Sequence, residues 1–273
     1  MNDIKTVARK WYAFLEFPKE YDKIFEMLLL RADIDDTLLN KSCEEMNQAQ
    51  DAGKSLVYAL ARCEALEKIF QKAKMPQEIF ADTISDIKVW ALDYYTRTKK
   101  FGTDHIWWLA NILDFKLFKL GRLQYTFTEA LADYPLMQMK KEDPVIGIHI
   151  PRKDLLTPEI CKDSLRRADA FFAKYFPDFA YSFYTCGSWM LSPDLELFLN
   201  ENSNVLNFKH MFHMVYEEEN NAILFFIFPW GTQPEQATTL DAETSLQKKV
   251  QEHIVSGKKL HIGYGVIPKN SAY

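Results

Sequence analysis

Glycine is scarce in this sequence, and long uninterrupted apolar runs are missing. Glycine occupies 9 and proline 11 of 273 positions, whereas 48% of the residues are hydrophobic and 26% are charged. Such a composition is typical of a folded globular protein and excludes long disordered tails. The most apolar stretch, residues 222–230, is far too short to cross a bilayer as a helix, so we expect no membrane partner.

Cysteine pairs and an excess of basic residues are also missing. The four cysteines form no C-x-x-C pair, and the charged N-terminal segment MNDIKTVARKWYAFLEF lacks the apolar core of a secretory signal peptide. We therefore expect reduced thiols in a cytoplasmic protein. The formal net charge is -5 and no basic stripe is present, which argues against nucleic-acid binding but leaves room for a small anionic ligand. The cysteines are Cys43, Cys63, Cys161 and Cys186.

Motifs of several common enzyme classes are absent from the sequence. It contains no Walker loop, Gly-x-Ser-x-Gly elbow, His-Glu-x-x-His helix or paired-cysteine zinc pattern. His210 and His213 lie three residues apart in a predicted strand, where their side chains would point to opposite faces and make a poor metal pair. Gly263 and Gly265 form a lone G-x-G without the strand-loop-helix context of a dinucleotide site. We expect neither a metal nor a bound dinucleotide.

Apolar residues recur at helical spacing from residue 3 to about residue 114. Ile4, Val7 and Trp11 follow steps of three and four residues, which places them on one helix face. Pro18 suits the first turn of a second helix. The pattern predicts helices over residues 4–14, 18–31, 56–73, 76–98 and 104–113.

Strand-like and helical segments alternate after about residue 117. The pattern predicts strands over residues 117–128, 145–150, 181–191, 205–216, 222–228 and 260–266, and helices over 157–175, 192–200 and 241–255. The order strand, loop, helix, strand indicates a right-handed parallel crossover. The segments 205–216 and 222–228, joined by a polar link, are predicted to form an antiparallel hairpin. We expect two domains, 1–116 and 117–273.

Several motifs in the second half resemble those of a known bacterial family. They are GIHIPRKDLLT at 147–157, SLRRA at 164–168, CGSWML at 186–191, Ser203-Asn204, Phe208 and TSL at 244–246. Together they are similar to the GNAT-like C-terminal domain of acyltransferase-domain proteins, which also carry a helical N-terminal domain. The resemblance implies an α/β (α+β) fold, with a helical N-terminal domain followed by a GNAT-like mixed-sheet domain.

The resemblance also implies where a co-substrate, acetyl-CoA or a longer acyl-CoA, would bind. In GNAT enzymes the pantetheine arm lies where two parallel strands separate, and the pyrophosphate meets the loop before the next helix, whose N-terminus favours anions. The loop at 151–156 contains no glycine, unlike the usual glycine-rich loop of that superfamily. The residues expected to bind coenzyme are Gly147, Ile148, Ile150, Arg152, Lys153, Leu156 and Thr157.

Candidate catalytic residues lie beside this predicted cleft. His149 is expected to act as a base that deprotonates an amine, the alternative being a structural histidine at a strand end. Cys186 is either a nucleophile or a lining residue of the acyl pocket, and Ser188 is a further candidate. Trp189 is either a pocket or a core residue, and Asn204 either orients substrate or belongs to a capped turn. The predicted substrate pocket comprises Tyr184, Trp189 and Asn204.

The resemblance and these residues together suggest three functions. The first is an acyl-CoA-dependent N-acyltransferase that acts on a small molecule. The second is a non-catalytic GNAT-like binding or interaction protein that has lost coenzyme binding, a reading that the glycine-free loop favours. The third is a hydrolase that uses Cys186 with His149. The oligomeric state stays open, a homodimer included.

Overall fold

Six α-helices form the first of two compact units, Met1–Leu120 and Gly121–Tyr273. The structure is a computed structural model, which describes residues 3–152 and 155–271 of the chain. The long helix α4 is buried along most of its length because α1, α5 and α6 pack against it. The helices are α1 (Ile4–Phe14), α2 (Asp22–Leu29), α3 (Cys43–Gln48), α4 (Ala52–Lys72), α5 (Gln77–Thr98) and α6 (Ile106–Leu113).

Helix α3 was not predicted from the sequence. It begins at Ser42, whose side chain accepts a hydrogen bond from the Glu45 amide while the Glu45 carboxylate accepts one from the Ser42 amide. This capping box satisfies two backbone donors that a helix start would otherwise leave without partners. The S-x-x-E spacing at 42–45 is the local signal from which the helix could have been predicted.

The second unit is a mixed sheet with helices. Its strands follow the order β2-β3-β4-β6-β5, in which β3 and β4 are parallel and the other neighbours antiparallel. The strands are β2 (Leu123–Glu129), β3 (Pro144–His149), β4 (Phe183–Ser188), β5 (His213–Glu219) and β6 (His261–Pro268). The helices are α7 (Pro158–Tyr175), α8 (Leu195–Phe198), α9 (Asn204–Lys209), α10 (Ala222–Ile227), α11 (Pro234–Ala237) and α12 (Ser245–Val255). Helices followed by a mixed sheet confirm the predicted fold class.

The single strand predicted over residues 117–128 is wrong. The segment divides into β1 (Leu117–Leu120), which packs on α5 in the first unit, and β2. Between them Gly121 has φ +77°, a left-handed conformation that glycine adopts without the steric cost of a Cβ atom. The glycine therefore marks a turn inside a run that alternation alone presents as continuous.

The antiparallel hairpin predicted from segments 205–216 and 222–228 is also wrong. Residues 204–209 form α9, which begins at Ser203, whose hydroxyl accepts a hydrogen bond from the Leu206 amide. The second segment forms α10, which buries Ile223 and Leu224 in a hydrophobic cluster. β5 begins later than predicted and pairs with β6 instead. A short apolar run does not distinguish a buried strand from a buried helix.

Helix α7 covers one face of the sheet and fixes which strand residues face it. The hydroxyls of Tyr125 and Ser164 are 3.0 Å apart, and the Tyr184 hydroxyl donates to Asp169 at 2.8 Å. Because side chains alternate across a strand, Thr126 and Thr185 face the opposite side. There a small buried cluster formed by Ala130, Met139, Val145 and Val266 packs the β2–β3 connection onto the sheet.

No helix within residues 3–152 and 155–271 is long and apolar enough to span a membrane.

Candidate active site

The parallel strands β3 and β4 separate toward their carboxyl ends. They pair at Ile146–Tyr184 and Gly147–Thr185. On their outer edges pairing continues further, to His149 on the β2 side of β3 and to Ser188 on the β6 side of β4. The last residues of the two strands therefore border a gap, which we call the wedge, instead of facing each other. The wedge lies at the end of the strands from which the chain leads into α7.

A cavity of about 240 Å³ opens from the wedge onto the sheet face opposite α7. Its lining includes residues from both sides of the wedge, Gly147–His149 and Thr185–Gly187. The rest of the lining comes from β2, the β2–β3 connection, β5 and β6, and includes Thr126, Ala130, Tyr134, Tyr264 and Val266. The lining combines apolar residues such as Ala130 and Val266 with threonines and Glu129, and its apolar part suits a chain-like ligand.

His149 lies at the end of β3 and lines this cavity. Its Nε2 atom is 2.9 Å from the hydroxyl oxygen of Thr126 on the neighbouring strand. Burial lowers the pKa of His149 to about 4, because the charged imidazolium is costly to place away from water. The imidazole is therefore neutral at physiological pH and able to accept a proton.

Gly147 makes room for the hydrogen bond between Thr126 and His149. A Cβ atom at this position would lie 2.8 Å from the Thr126 hydroxyl oxygen and 3.6 Å from Nε2 of His149. The space beside the glycine is thus occupied by the side chains that hold His149. The sequence-based prediction that Gly147 binds coenzyme stays a prediction.

Cys186 and Ser188 occupy different environments at the end of β4. Cys186 lines the cavity and is 4% exposed, and burial raises the pKa of its thiol to about 12. A thiol with that pKa is protonated at neutral pH, and the thiolate is the nucleophilic form. The Ser188 hydroxyl accepts a hydrogen bond from the Met190 amide and caps a short 3₁₀ helix at 189–191.

The three predicted pocket residues lie apart from one another. Tyr184 is fully buried on the α7 side of the sheet, and Trp189 belongs to a hydrophobic cluster with α10 and α12. Asn204 is the first residue of α9, whose capping residue is Ser203. All three are described by the structure and lie outside the lining of the cavity.

The predicted coenzyme-binding residues follow β3 in order. Ile148 is buried and lines the cavity, Ile150 is half-buried, and Leu156 is buried before Thr157, the N-cap residue of α7. The guanidinium carbon of Arg152 lies 5.3 Å from the centre of the Phe226 ring on α10. Lys153 falls outside the described residues.

The structure adds a cation that sequence reasoning did not find. Arg122, in the turn before β2, is 8% exposed, and its Nε atom donates to the carbonyl of Leu155 at 2.7 Å. Burial raises the pKa of Cys161, in the first turn of α7, to about 11, and the nearby charge of Arg122 lowers it by a smaller amount. A buried arginine therefore supports the loop that leads into α7. The sequence contains no local signal for it, because the two residues are 33 positions apart.

Tyr264 was also not predicted. Its ring lies over Gly187, where a Cβ atom would come within 2.4 Å of the ring. Its hydroxyl donates to a carboxylate oxygen of Glu218 at 3.1 Å, and burial together with this carboxylate raises the pKa of Tyr264 to about 12. Tyr264 is the central residue of the G-x-G that was dismissed as a dinucleotide motif. The two glycines of this motif allow close packing: a Cβ atom at Gly263 would collide with the backbone of Leu191, and one at Gly265 would lie 2.7 Å from the Cβ atom of Phe212.

No group of three or more His, Cys, Asp or Glu residues in the described part of the chain is arranged to hold a metal ion.

Comparisons with known proteins agree with this architecture. Residues 7–115 match the N-acyltransferase N-terminal domain, and residues 117–267 match the GNAT-like C-terminal domain. Among curated proteins none matches this sequence. A solved structure of an acyltransferase in complex with decanoyl-CoA is 26% identical, with a TM-score of 0.78 over 95% of this chain and 86% of that chain.

Two further solved structures share the fold at lower identity. One, an acyltransferase in complex with decanoyl-CoA and teicoplanin, is 23% identical with a TM-score of 0.77, over 96% of this chain and 87% of that one. The other, in complex with CoA and 10C-teicoplanin, is 22% identical with a TM-score of 0.80 over the same shares. The chain belongs to the family in which a GNAT-like C-terminal domain follows an N-acyltransferase N-terminal domain.

Proposed function

We propose that this protein transfers an acyl group from acyl-CoA to the amine of a small molecule. The wedge between β3 and β4 carries the proposal. Two parallel strands that part after two residue pairs offer backbone donors and acceptors to an extended, amide-containing arm such as pantetheine. The wedge also connects to a cavity into which the acyl group can extend.

Charges near the wedge suit the anionic end of coenzyme A. The 18-residue helix α7 begins just beyond the loop, and its N-terminus carries partial positive charge and amides that have no intrahelical partner. Arg152 follows β3, and Arg122 supports the loop through Leu155. Because the loop at 151–156 lacks glycine, side-chain cations here take a larger share of phosphate binding than in a glycine-rich loop.

The acyl chain is proposed to be of medium length. A related acyltransferase of 26% identity has been solved with decanoyl-CoA. The cavity beyond the wedge is bordered by the apolar cluster that includes Ala130 and Val266. Burial of methylene groups in such a space is favourable by about 0.8 kcal/mol each. A medium-chain donor should therefore bind more tightly than acetyl-CoA.

The chemistry is direct transfer. The amine nitrogen attacks the thioester carbonyl, a C–N bond forms, the C–S bond breaks, and CoA leaves as a thiolate that takes up a proton. The proton lost by the amine passes to His149, directly or through water. The wedge contributes by holding thioester and amine in a reactive orientation. Cys186 is assigned the role of a lining residue, since its thiol is protonated.

Calorimetric titration with decanoyl-CoA and acetyl-CoA tests the proposal. Micromolar binding to wild type, weakened about 10-fold or more by Arg152→Ala, is expected, because a charge-assisted contact with phosphate contributes about 1.5–3 kcal/mol. Arg166→Ala is the matched control. It removes the same charge from an exposed position on α7, where Arg166 lies near Asp163.

Turnover is measured separately with a panel of amines, by the release of free CoA thiol. Amine-dependent release supports the transferase. Failure of wild-type protein to bind any acyl-CoA would contradict the proposal and favour a GNAT-like binding protein without coenzyme affinity.

A further inference from the structure

Three segments of the second unit meet at the open end of the wedge. Arg152 follows β3, and Trp189 follows β4 directly. Because the strands are parallel, their carboxyl ends lie at the same edge of the sheet. Phe226 on α10 contacts both residues: its ring centre is 5.3 Å from the Arg152 guanidinium carbon and 5.7 Å from the centre of the Trp189 ring.

Phe226 is half exposed, and the packing of its helix does not depend on it. Ile223 and Leu224 anchor α10 in the hydrophobic cluster at 2% and 0% exposure, whereas Phe226 is 49% exposed. Its ring therefore adds little to the core of α10. What it does is offer an aromatic face to the arginine that follows β3.

A guanidinium on an aromatic face is held in place at low cost. An arginine side chain has several rotatable bonds, and fixing it for a ligand costs rotamer entropy. Stacking on Phe226, which Trp189 supports from β4, limits that freedom before the ligand arrives. The charge is then already in place at the end of the wedge.

We propose that Phe226 is a positioning residue for coenzyme A, which holds the Arg152 guanidinium across the open end of the wedge for the phosphates. The inference rests on the proposed function. It adds Phe226 on α10, which is 74 positions from Arg152 in sequence, to the coenzyme site.

Titration of CoA into Phe226→Leu, Phe226→Tyr and the control Phe225→Leu tests the inference. Phe225 is the neighbouring aromatic on α10; it is 37% exposed and packs on Trp230 with ring centres 5.4 Å apart. Phe226→Leu should raise the Kd for CoA about 2- to 5-fold, the size of a partly exposed cation–π contact. Phe226→Tyr, which keeps the aromatic face, and Phe225→Leu should bind as wild type does.

Two further measurements separate positioning from a general structural effect. In an Arg152→Ala background, Phe226→Leu should cause no additional loss, because the two residues act through one contact. S-decanoyl pantetheine, which lacks the pyrophosphate and nucleotide, should bind wild type and Phe226→Leu equally. Thermal unfolding of each variant shows whether it is folded.

Equal CoA affinity for wild type and Phe226→Leu would overturn the inference while leaving the proposed function intact. An equal loss in the presence and absence of Arg152, or the same loss for the pantetheine thioester, would also overturn it. Failure of wild type itself to bind CoA would contradict the proposed function, so the two failures are distinguishable.

Discussion

At the scale of single residues, the proposed base depends on its two neighbours in the sheet. Thr126 lies 2.9 Å from Nε2 of His149, and Gly147 leaves the space that this contact needs. Burial of the ring lowers the pKa of His149 to about 4. A base with that pKa is fully unprotonated at neutral pH, though it is weaker than an exposed imidazole.

Substitution of His149 should affect turnover and its dependence on pH. His149→Gln should lower kcat by about 100-fold, the usual contribution of a general base, with unchanged Kd for acyl-CoA. Since the imidazole is unprotonated above its pKa, the wild-type rate should hold as the pH falls through 6.5 and decline only as it approaches about 4. Steady-state kinetics between pH 4 and 9, corrected for ionisation of the amine, would measure this. A change of only a few-fold in kcat would instead mark His149 as structural.

Cys186 should be dispensable for the chemistry. Its buried thiol, with a pKa raised to about 12, is protonated at neutral pH. Cys186→Ala should therefore turn over as wild type does, and mass spectrometry of wild type mixed with decanoyl-CoA should detect no acylated protein. Loss of activity together with an acyl-enzyme would favour the hydrolase that uses Cys186 with His149.

At the scale of secondary-structure elements, α10 links the hydrophobic core to the coenzyme site. Leu224 is fully buried on this helix, two residues before Phe226. Packing of Leu224 in the core fixes the position of the helix, and the helix in turn fixes the Phe226 ring that contacts Arg152. Damage to its buried face should reduce both stability and coenzyme affinity.

Truncation of Leu224 tests the packing of α10 in the core. Leu224→Ala should destabilise the protein by about 2–5 kcal/mol, since it removes transfer free energy and leaves a cavity. Leu197→Ala on α8, where the leucine is 60% exposed, should change stability by less than about 0.5 kcal/mol. Urea unfolding would compare the two variants. Equal destabilisation would show that the packing assigned to α10 is wrong.

At the scale of the whole molecule, a negatively charged protein is proposed to bind a polyanion. The net charge is -5, so the long-range field does not favour coenzyme A, and local cations such as Arg152 must supply the attraction. Exposed electrostatic contacts weaken with salt, because the Debye length falls from about 10 Å at 0.1 M to about 3 Å at 1 M.

Salt should therefore weaken coenzyme binding in a residue-specific way. The Kd of wild type for CoA should rise as salt increases over that range, and the rise should be smaller for Arg152→Ala, which has lost one cation. The variant Arg166→Ala should keep the wild-type salt dependence. Calorimetry at several salt concentrations would measure the slopes, and identical slopes for all three proteins would contradict a role for Arg152 in phosphate binding.

The sequence by itself determined the features that depend on residues close together in the chain. The helical spacing of Ile4, Val7 and Trp11 predicted α1, and Thr157 with Pro158 predicted the start of α7. The apolar spacing and the caps of a helix depend on residues within about four positions of each other. A short stretch of sequence is therefore enough to predict them. The strand-helix-strand order and the family motifs likewise predicted the mixed sheet.

Only the tertiary structure decided how distant residues meet. Three features join positions between 23 and 74 residues apart. They are the pairing of β3 with β4, the contact between Thr126 and His149, and the stacking of Arg152 on Phe226. The hairpin expected at 205–228 failed because its segments largely form α9 and α10, and because β5 pairs with β6 instead. A sequence pattern shows which face of an element is apolar, but burial and strand pairing select its partner.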